Sequence, residues 1–220
     1  MRNLPYYFPV KFFCWLFFRL RFGLEVTGQE YVPRRGGVII ASNHISFFDP
    51  PLVGVSCPRR LRFMARADLF THPALAFFMR SVRVIPLRRG EADVGAVRAA
   101  LALLRAGEAI AIFPEGGRQR SGRLGEAKRG VGVLADLSAA PIVPAFVSGS
   151  YDALPPDAKR LGKSKIRVAF GPPISYTNAS LPTGLPDDHE RVRRRRERLA
   201  EAVTHAWHRL AAQKKGSPPA

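Results

Sequence analysis

Only two cysteines occur in the 220 residues, Cys14 and Cys57, too few for a disulfide framework and without the spacing of a metal site. A reducing compartment is the setting such a chain expects. Acidic residues are also scarce: 17 Asp and Glu stand against 35 Lys and Arg, a formal net charge of +18 with a sequence pI of about 11.2. That field suits nucleic acid, anionic lipid headgroups or phosphorylated substrates, and composition does not choose among them. Long apolar runs are missing as well. The uninterrupted run from Phe12 to Phe18 falls far short of the ~20 residues a membrane-spanning helix needs, and no small-x-small cleavage site follows it, which argues against a signal peptide. No internal repeat is visible.

What is present is a globular chain, 46% hydrophobic and 24% charged, of a length that suits one large domain. Residues 5–22 are dense in aromatics with Lys11, Arg19 and Arg21 among them. They read as a short helix that either packs on the domain or lies in a membrane interface, where aromatics and snorkelling cations are favoured. Strands are expected at Leu24–Thr27, Val38–Ala41, Leu61–Ala65, Val82–Leu87, Ala109–Phe113, Ile142–Val147 and Lys165–Phe170. Between them, helices are expected at Asp68–Met79, at Asp93–Ala106 with the stripe Val94, Val97, Leu101 and Leu104, and at Lys128–Ala140. The apolar residues of 68–79 (Leu69, Phe70, Leu75, Phe77, Phe78) either belong to the core or line a cavity or membrane surface. A long helix over Asp187–Gln213 carries six arginines between Arg191 and Arg198 and the stripe Val192, Leu199, Val203, Trp207 and Leu210. Its charge run is either a solvated face or a surface for an anionic partner. Strands alternating with helices give an α/β class with one central sheet.

Two loops carry the chemistry. The buried run Val38–Ala41 delivers Asn43, His44 and Asp49 into a loop at its carboxyl end, where an α/β sheet places ligands. His44 and Asp49 are too far apart in sequence to share a helix face, but they can meet across a turn. A carboxylate on one imidazole nitrogen fixes the tautomer and leaves the other nitrogen as a base. The plain alternative, that His44 caps a turn and Asp49 a helix, is favoured on spacing alone, because H-x-x-x-x-D occurs often by chance. The second loop runs Phe113-Pro114-Glu115-Gly116-Gly117-Arg118. Its glycines would let backbone amides turn toward an anion beside the arginines, while Glu115 would hold an arginine or a substrate hydroxyl. An ordinary surface loop of mixed charge is the alternative.

Two rival classes fit less well. An RNA-binding module explains the charge, but the aromatics concentrate at the N-terminus, away from the arginines, instead of interleaving with them. A metal-dependent hydrolase explains His44, Asp49 and Glu115. It lacks a second histidine at ligand spacing, since His72 stands alone and His189, His205 and His208 fall on or beside the C-terminal helix.

Taken in order, Asn43-His44 with Asp49, Ile85-Pro86-Leu87-Arg88-Arg89, Phe113 to Arg118, and Pro141-Ile142-Val143-Pro144-Ala145 resemble the four sequence blocks of the 1-acylglycerol-3-phosphate O-acyltransferase family, the PlsC-like lysophospholipid acyltransferases. The resemblance spans roughly Val26 to Pro173. It implies a single α/β domain with a mixed central sheet surrounded by helices, and acyl transfer from acyl-CoA or acyl-carrier protein to the free hydroxyl of a lysophospholipid, without a metal or other cofactor. It also implies His44 as general base with Asp49 orienting it, and Arg89, Glu115, Gly116 and Arg118 in the blocks that bind the glycerol phosphate. Gly117 departs from the Thr or Ser usual in the family, and Arg88 from the usual acid or lysine, which leaves the acceptor headgroup open: 1-acylglycerol-3-phosphate, or another lyso-lipid such as lyso-ornithine lipid. The expected organisation is a membrane-contacting segment over 1–23, a catalytic domain over 24–186, a basic helix over 187–213 and a disordered tail over 214–220. No nucleic acid partner is expected. The expected location is peripheral, on the cytoplasmic face of the cell membrane.

Overall fold

Five consecutive buried residues, Val38 to Ser42, mark the centre of the molecule. A strand covered on both faces belongs inside a largely parallel sheet with helices on either side. The structure, a computed structural model, describes residues 7–71, 79, 84–87, 93–155, 158, 160–176 and 187–213. Its elements are α1 (Tyr7–Phe22), β1 (Glu25–Thr27), β2 (Val38–Ser42), α2 (Asp49–Ser56), β3 (Leu61–Arg66), β4 (Ile85–Leu87), α3 (Val94–Arg105), β5 (Ala109–Ile112), α4 (Gly130–Ser138), β6 (Ile142–Ser148), α5 (Ser150–Ala153), β7 (Arg167–Phe170) and α6 (Asp188–Ala212).

One seven-stranded sheet runs in the order β1-β7-β6-β2-β5-β3-β4. From β6 to β4 all neighbours are parallel. The sheet is mixed because β7 runs antiparallel to β6, with β1 parallel to β7. Ile39 stands opposite both Ile110 and Ile142, so the carboxyl ends of β6, β2 and β5 open side by side on one edge. Alternation along β2 sends Ile40 to a core layer with Phe18, Phe22, Leu52 and Val53. Ile39 and Ala41 face the opposite layer, with Ala100, Leu134, Val203 and Trp207. Three layers result, with α1 and α2 on one face and α3, α4 and α6 on the other.

Several expectations change. Pro50 and Pro51 occupy the first turn of α2, where a missing N–H is no loss and a fixed φ suits the helix. The buried stripe of α3 is Ala96, Ala100 and Leu104, with Val97 and Leu101 half-buried and Val94 64% exposed. Small alanines let this helix close on the sheet, and the larger valine is left outside. Where a helix from Asp68 was expected, Ala67–Phe70 is a 3-10 turn; most of 68–79, and the beginning of the strand expected over 82–87, lie outside the described residues.

The two charged helices resolve differently. In α1 the cations turn toward the domain: Lys11 Nζ donates to the Cys57 carbonyl (2.6 Å), Arg19 to Leu24 (3.1 Å) and Arg21 to Gly162 (3.2 Å). Phe18 and Phe22 pack inward, while Phe8, Phe12, Phe13, Trp15, Phe17 and Leu20 are exposed. This helix therefore both packs on the domain and presents an aromatic face. In α6 the stripe Leu199, Val203, Trp207 and Leu210 is buried, and Trp207 Nε1 donates to the Ala41 carbonyl (3.0 Å). Arg193 and Arg194 pair with Glu190, and Arg195 and Arg196 with Asp136. Asp136 lies at the end of α4 that leads back to the amino edge of the sheet, so this part of the arginine run is remote from the carboxyl ends of β2 and β5. No helix among the described residues is long and apolar enough to cross a membrane.

Candidate active site

The site begins where β2 ends. Asn43 is buried and holds β6 with a reciprocal pair: its Nδ2 donates to the Val147 carbonyl (3.0 Å) and its Oδ1 accepts the Val147 N–H (2.7 Å). This clamp fixes the point from which His44 projects.

Asp49 is completely buried at the start of α2. Its Oδ2 accepts from the backbone N–H of Ile45 (2.6 Å), the backbone N–H of Ser46 (2.7 Å) and Nδ1 of His44 (3.0 Å). Oδ1 accepts from the Ser150 hydroxyl (2.6 Å). The carboxylate thus closes the 44–49 turn and holds the imidazole in the same act. Because a carboxylate only accepts, the shared proton sits on Nδ1 and Nε2 is the basic nitrogen. The imidazole stacks 4.4 Å from the Phe113 ring at a 30° tilt, and 17% of its side chain remains open.

The second loop is built against His44 from below. Glu115 is buried, and its Oε1 accepts the backbone N–H of His44 (3.0 Å). The His44 carbonyl accepts the N–H of Gln119 (2.8 Å). Among the described residues Oε2 of Glu115 has no hydrogen bond of good geometry, although the Gln119 amide stands close enough to favour the charged form. Burial dominates and pushes the Glu115 carboxyl up to about 7, against the His44 amide and Gln119, with the Asp49 charge adding to the rise. Glu115 therefore holds the main chain of His44, where the sequence suggested an arginine or a substrate hydroxyl.

Gly116 sits at φ 79°, a left-handed conformation that favours glycine. Its N–H is committed to the Phe113 carbonyl (3.1 Å). The Gln119 amide is also committed, to the His44 carbonyl, so these two amides are turned to the main chain. A Cβ added at Gly117 would meet nothing, so the backbone does not demand glycine where the family usually has Thr or Ser. The Arg118 guanidinium lies 3.4 Å over the half-exposed Phe47 ring. The structure thus brings His44, Asp49, Glu115, Gly116 and Arg118 together. Arg89 lies outside the described residues; β4, which precedes it, ends at Leu87 on the same edge. Among the described residues no group of three or more His, Cys, Asp or Glu side chains stands close enough to hold a metal ion.

Sequence reasoning missed Ser150, the hydroxyl behind Asp49, and the stacking of His44 on Phe113. The available signal for Ser150 was Gly149, which ends the strand ahead of a short polar turn.

The profile of the family described as Acyltransferase matches residues 23–148. The 1-acyl-sn-glycerol-3-phosphate acyltransferase of Bacillus subtilis is 30% identical over 167 residues, which cover 74% of this chain and 80% of that protein. The chloroplastic 1-acyl-sn-glycerol-3-phosphate acyltransferase BAT2 of Brassica napus is 28% identical over 161 residues, 71% of this chain and 46% of its own length. The chain thus spans four fifths of the bacterial relative and less than half of the plant one. The crystal structure of PlsC from Thermotoga maritima, titled a 1-acyl-sn-glycerophosphate acyltransferase, superimposes with a TM-score of 0.73 at 22% identity, over 98% of this chain and 86% of that one. The superposition shows a shared fold, and the profile and the bacterial relative show the family: this chain belongs to the acyltransferase family and is an acyltransferase.

Proposed function

We propose that the enzyme moves a fatty acyl group from acyl-CoA or acyl-carrier protein to the free hydroxyl of 1-acylglycerol-3-phosphate, giving phosphatidic acid, with His44 as general base. The observation that carries this reading is the 3.0 Å bond between His44 Nδ1 and Asp49 Oδ2. An alcohol is a weak nucleophile at neutral pH. As its oxygen attacks the thioester carbonyl, the proton passes to Nε2, a step worth ~10²–10⁴-fold in rate. The C–O bond forms, the C–S bond breaks, and the proton on the imidazolium is returned to the leaving thiolate. Asp49 faces the imidazolium while it lasts.

Arg118, with Arg89 from the matching block, would anchor the acceptor phosphate and so bring the hydroxyl to His44, turning binding energy into proximity. The names of the relatives support a lysophosphatidate acceptor; Gly117 and Arg88 keep lyso-ornithine lipid and other lyso-lipids as the alternative. Turnover of purified protein with acyl-CoA and a panel of lyso-lipids tests the choice. Lysophosphatidate should be preferred, and Arg118→Ala should raise its KM about tenfold while leaving the donor KM unchanged. Preference for a lyso-lipid without phosphate overturns the acceptor assignment.

The substrates are lipids, so the enzyme would work peripherally on the cytoplasmic face of the membrane. The exposed aromatics of α1, with their neighbouring cations turned inward, would insert, and the net charge of +18 would attract anionic headgroups. Sedimentation with anionic liposomes should survive high salt, because apolar burial is not screened. Complete release by salt would leave charge as the only attraction.

A further inference from the structure

The short helix α5 lies beyond the part of the chain that the family profile matches, which ends at residue 148, yet it touches both loops of the site. Ser150, fully buried, donates its hydroxyl to Asp49 Oδ1 (2.6 Å), the oxygen that His44 does not use. The carbonyl of Leu154, just after α5, accepts the Ser46 hydroxyl (2.7 Å), so the His44–Asp49 turn is tied to α5 at two points. On the other side, the Tyr151 hydroxyl donates to the Arg120 carbonyl (3.0 Å). The Tyr151 ring also covers Gly122: a Cβ there would stand 3.1 Å from three of its ring carbons. Adjacent residues of one turn therefore reach Asp49 on one side and the arginine-bearing loop on the other.

The backbone makes this placement strict. Gly149 turns the chain out of β6 at φ 76°, and a Cβ at that position would lie 2.0 Å from the Lys165 carbonyl oxygen. Only glycine fits, and the turn it forms starts α5 with Ser150 beneath Asp49 and Tyr151 beside Arg120.

We infer that α5 is a clamp that positions both halves of the site, Ser150 through Asp49 on the base and Tyr151 through the Arg120 carbonyl on the Arg118 loop. This rests on the reading of His44 as base and Arg118 as acceptor ligand. Among the described residues Ser150 supplies the one donor to Asp49 Oδ1, so it fixes the carboxylate plane from which His44 hangs. Tyr151 fixes the height of the 118–122 segment against the same turn. Neither side chain needs to touch substrate.

The two ends of the clamp act on different kinetic constants, which a general loss of structure would not separate. Ser150→Ala should lower kcat about tenfold, the low end for a hydrogen bond to a charged group, with both KM values unchanged. In an Asp49→Asn background the same substitution should cost nothing further, because the group it acts through is gone. Tyr151→Phe keeps the ring over Gly122 and loses only the hydroxyl; it should raise the acceptor KM about threefold, as for a neutral hydrogen bond, with kcat and donor KM unchanged. Should Ser150→Ala not fold, Ser150→Cys, similar in size with a weaker donor, decides: a lower kcat at unchanged KM supports the clamp, and unchanged kcat overturns it. If folded His44→Ala is inactive while the Ser150 variants keep wild-type kcat, the clamp is wrong and the base stands. If folded His44→Ala keeps its turnover, the reading beneath the clamp has failed. If Tyr151→Phe changes kcat and every KM alike, the division of labour is wrong.

Discussion

Asp49 and Glu115 both lie buried against His44, and they are held in opposite ways. Among the described residues Asp49 accepts four hydrogen bonds, three on Oδ2 and one on Oδ1. Glu115 accepts one of good geometry, from the His44 N–H, and burial pushes its carboxyl up to about 7. The first is bound to the imidazole ring and the second to the main chain that carries it. Proximity to His44 is therefore a poor guide to role, and the number and kind of donors is a better one. A carboxylate with four donors is a fixed acceptor around which the turn is built. A carboxylate with one is a prop whose proton is free to come and go near neutral pH.

The contrast breaks most visibly at Asp49. Asp49→Asn can keep an oxygen for the two main-chain N–H groups and Nδ1 only by turning its amide toward the Ser150 hydroxyl, and it removes the negative charge that would face the imidazolium. We expect kcat to fall about a hundredfold or more, measured in single-turnover acyl transfer. At Glu115 the effects are smaller and depend on the replacement. Glu115→Ala leaves the His44 N–H without its partner, a loss of about 1–3 kcal/mol visible in urea unfolding, with a smaller fall in kcat than Asp49→Asn. Glu115→Gln keeps an oxygen for that N–H and should stay within a few-fold of wild type. Equal loss in Asp49→Asn and Glu115→Gln would erase the distinction.

The smallest effect is the most specific. Between the ordinary value of 4.5 and about 7, folded Glu115 retains a proton that the unfolded chain has released. Its contribution to stability is therefore full below 4.5 and is lost as pH rises through about 7. Glu115→Gln removes that loss, so its melting temperature should fall less than that of wild type from pH 5 to pH 8. Parallel curves for the two proteins would mean that Glu115 does not hold its proton there.

Much of this could be read from the chain. The apolar run before His44 and the one before Glu115 place both loops at the carboxyl edge, because parallel neighbours must end together. The four ordered blocks added what spacing alone could not, since His44 and Asp49 separately look like caps. Other features were hidden for physical reasons. Pro50 and Pro51 have opposite meanings within a helix and at its first turn, and only the fold shows which applies. The bond from Glu115 to the His44 main chain was hidden because a charged residue ahead of two glycines and an arginine reads as exposed. Ser150 carries no pattern of its own, and its partner is 101 residues away. The α1 cations illustrate the same limit: helical spacing could not say that three carbonyls of the domain would draw them inward.

The central claim is that His44, held through Nδ1, takes the proton of the acceptor hydroxyl at Nε2. Turnover of His44→Ala measures it most directly, with circular dichroism and melting recorded on the same preparation. The account predicts a protein that folds and melts as wild type does, still binds both substrates, and transfers acyl groups about 10³-fold more slowly or not at all. A folded His44→Ala with near-normal kcat would contradict it.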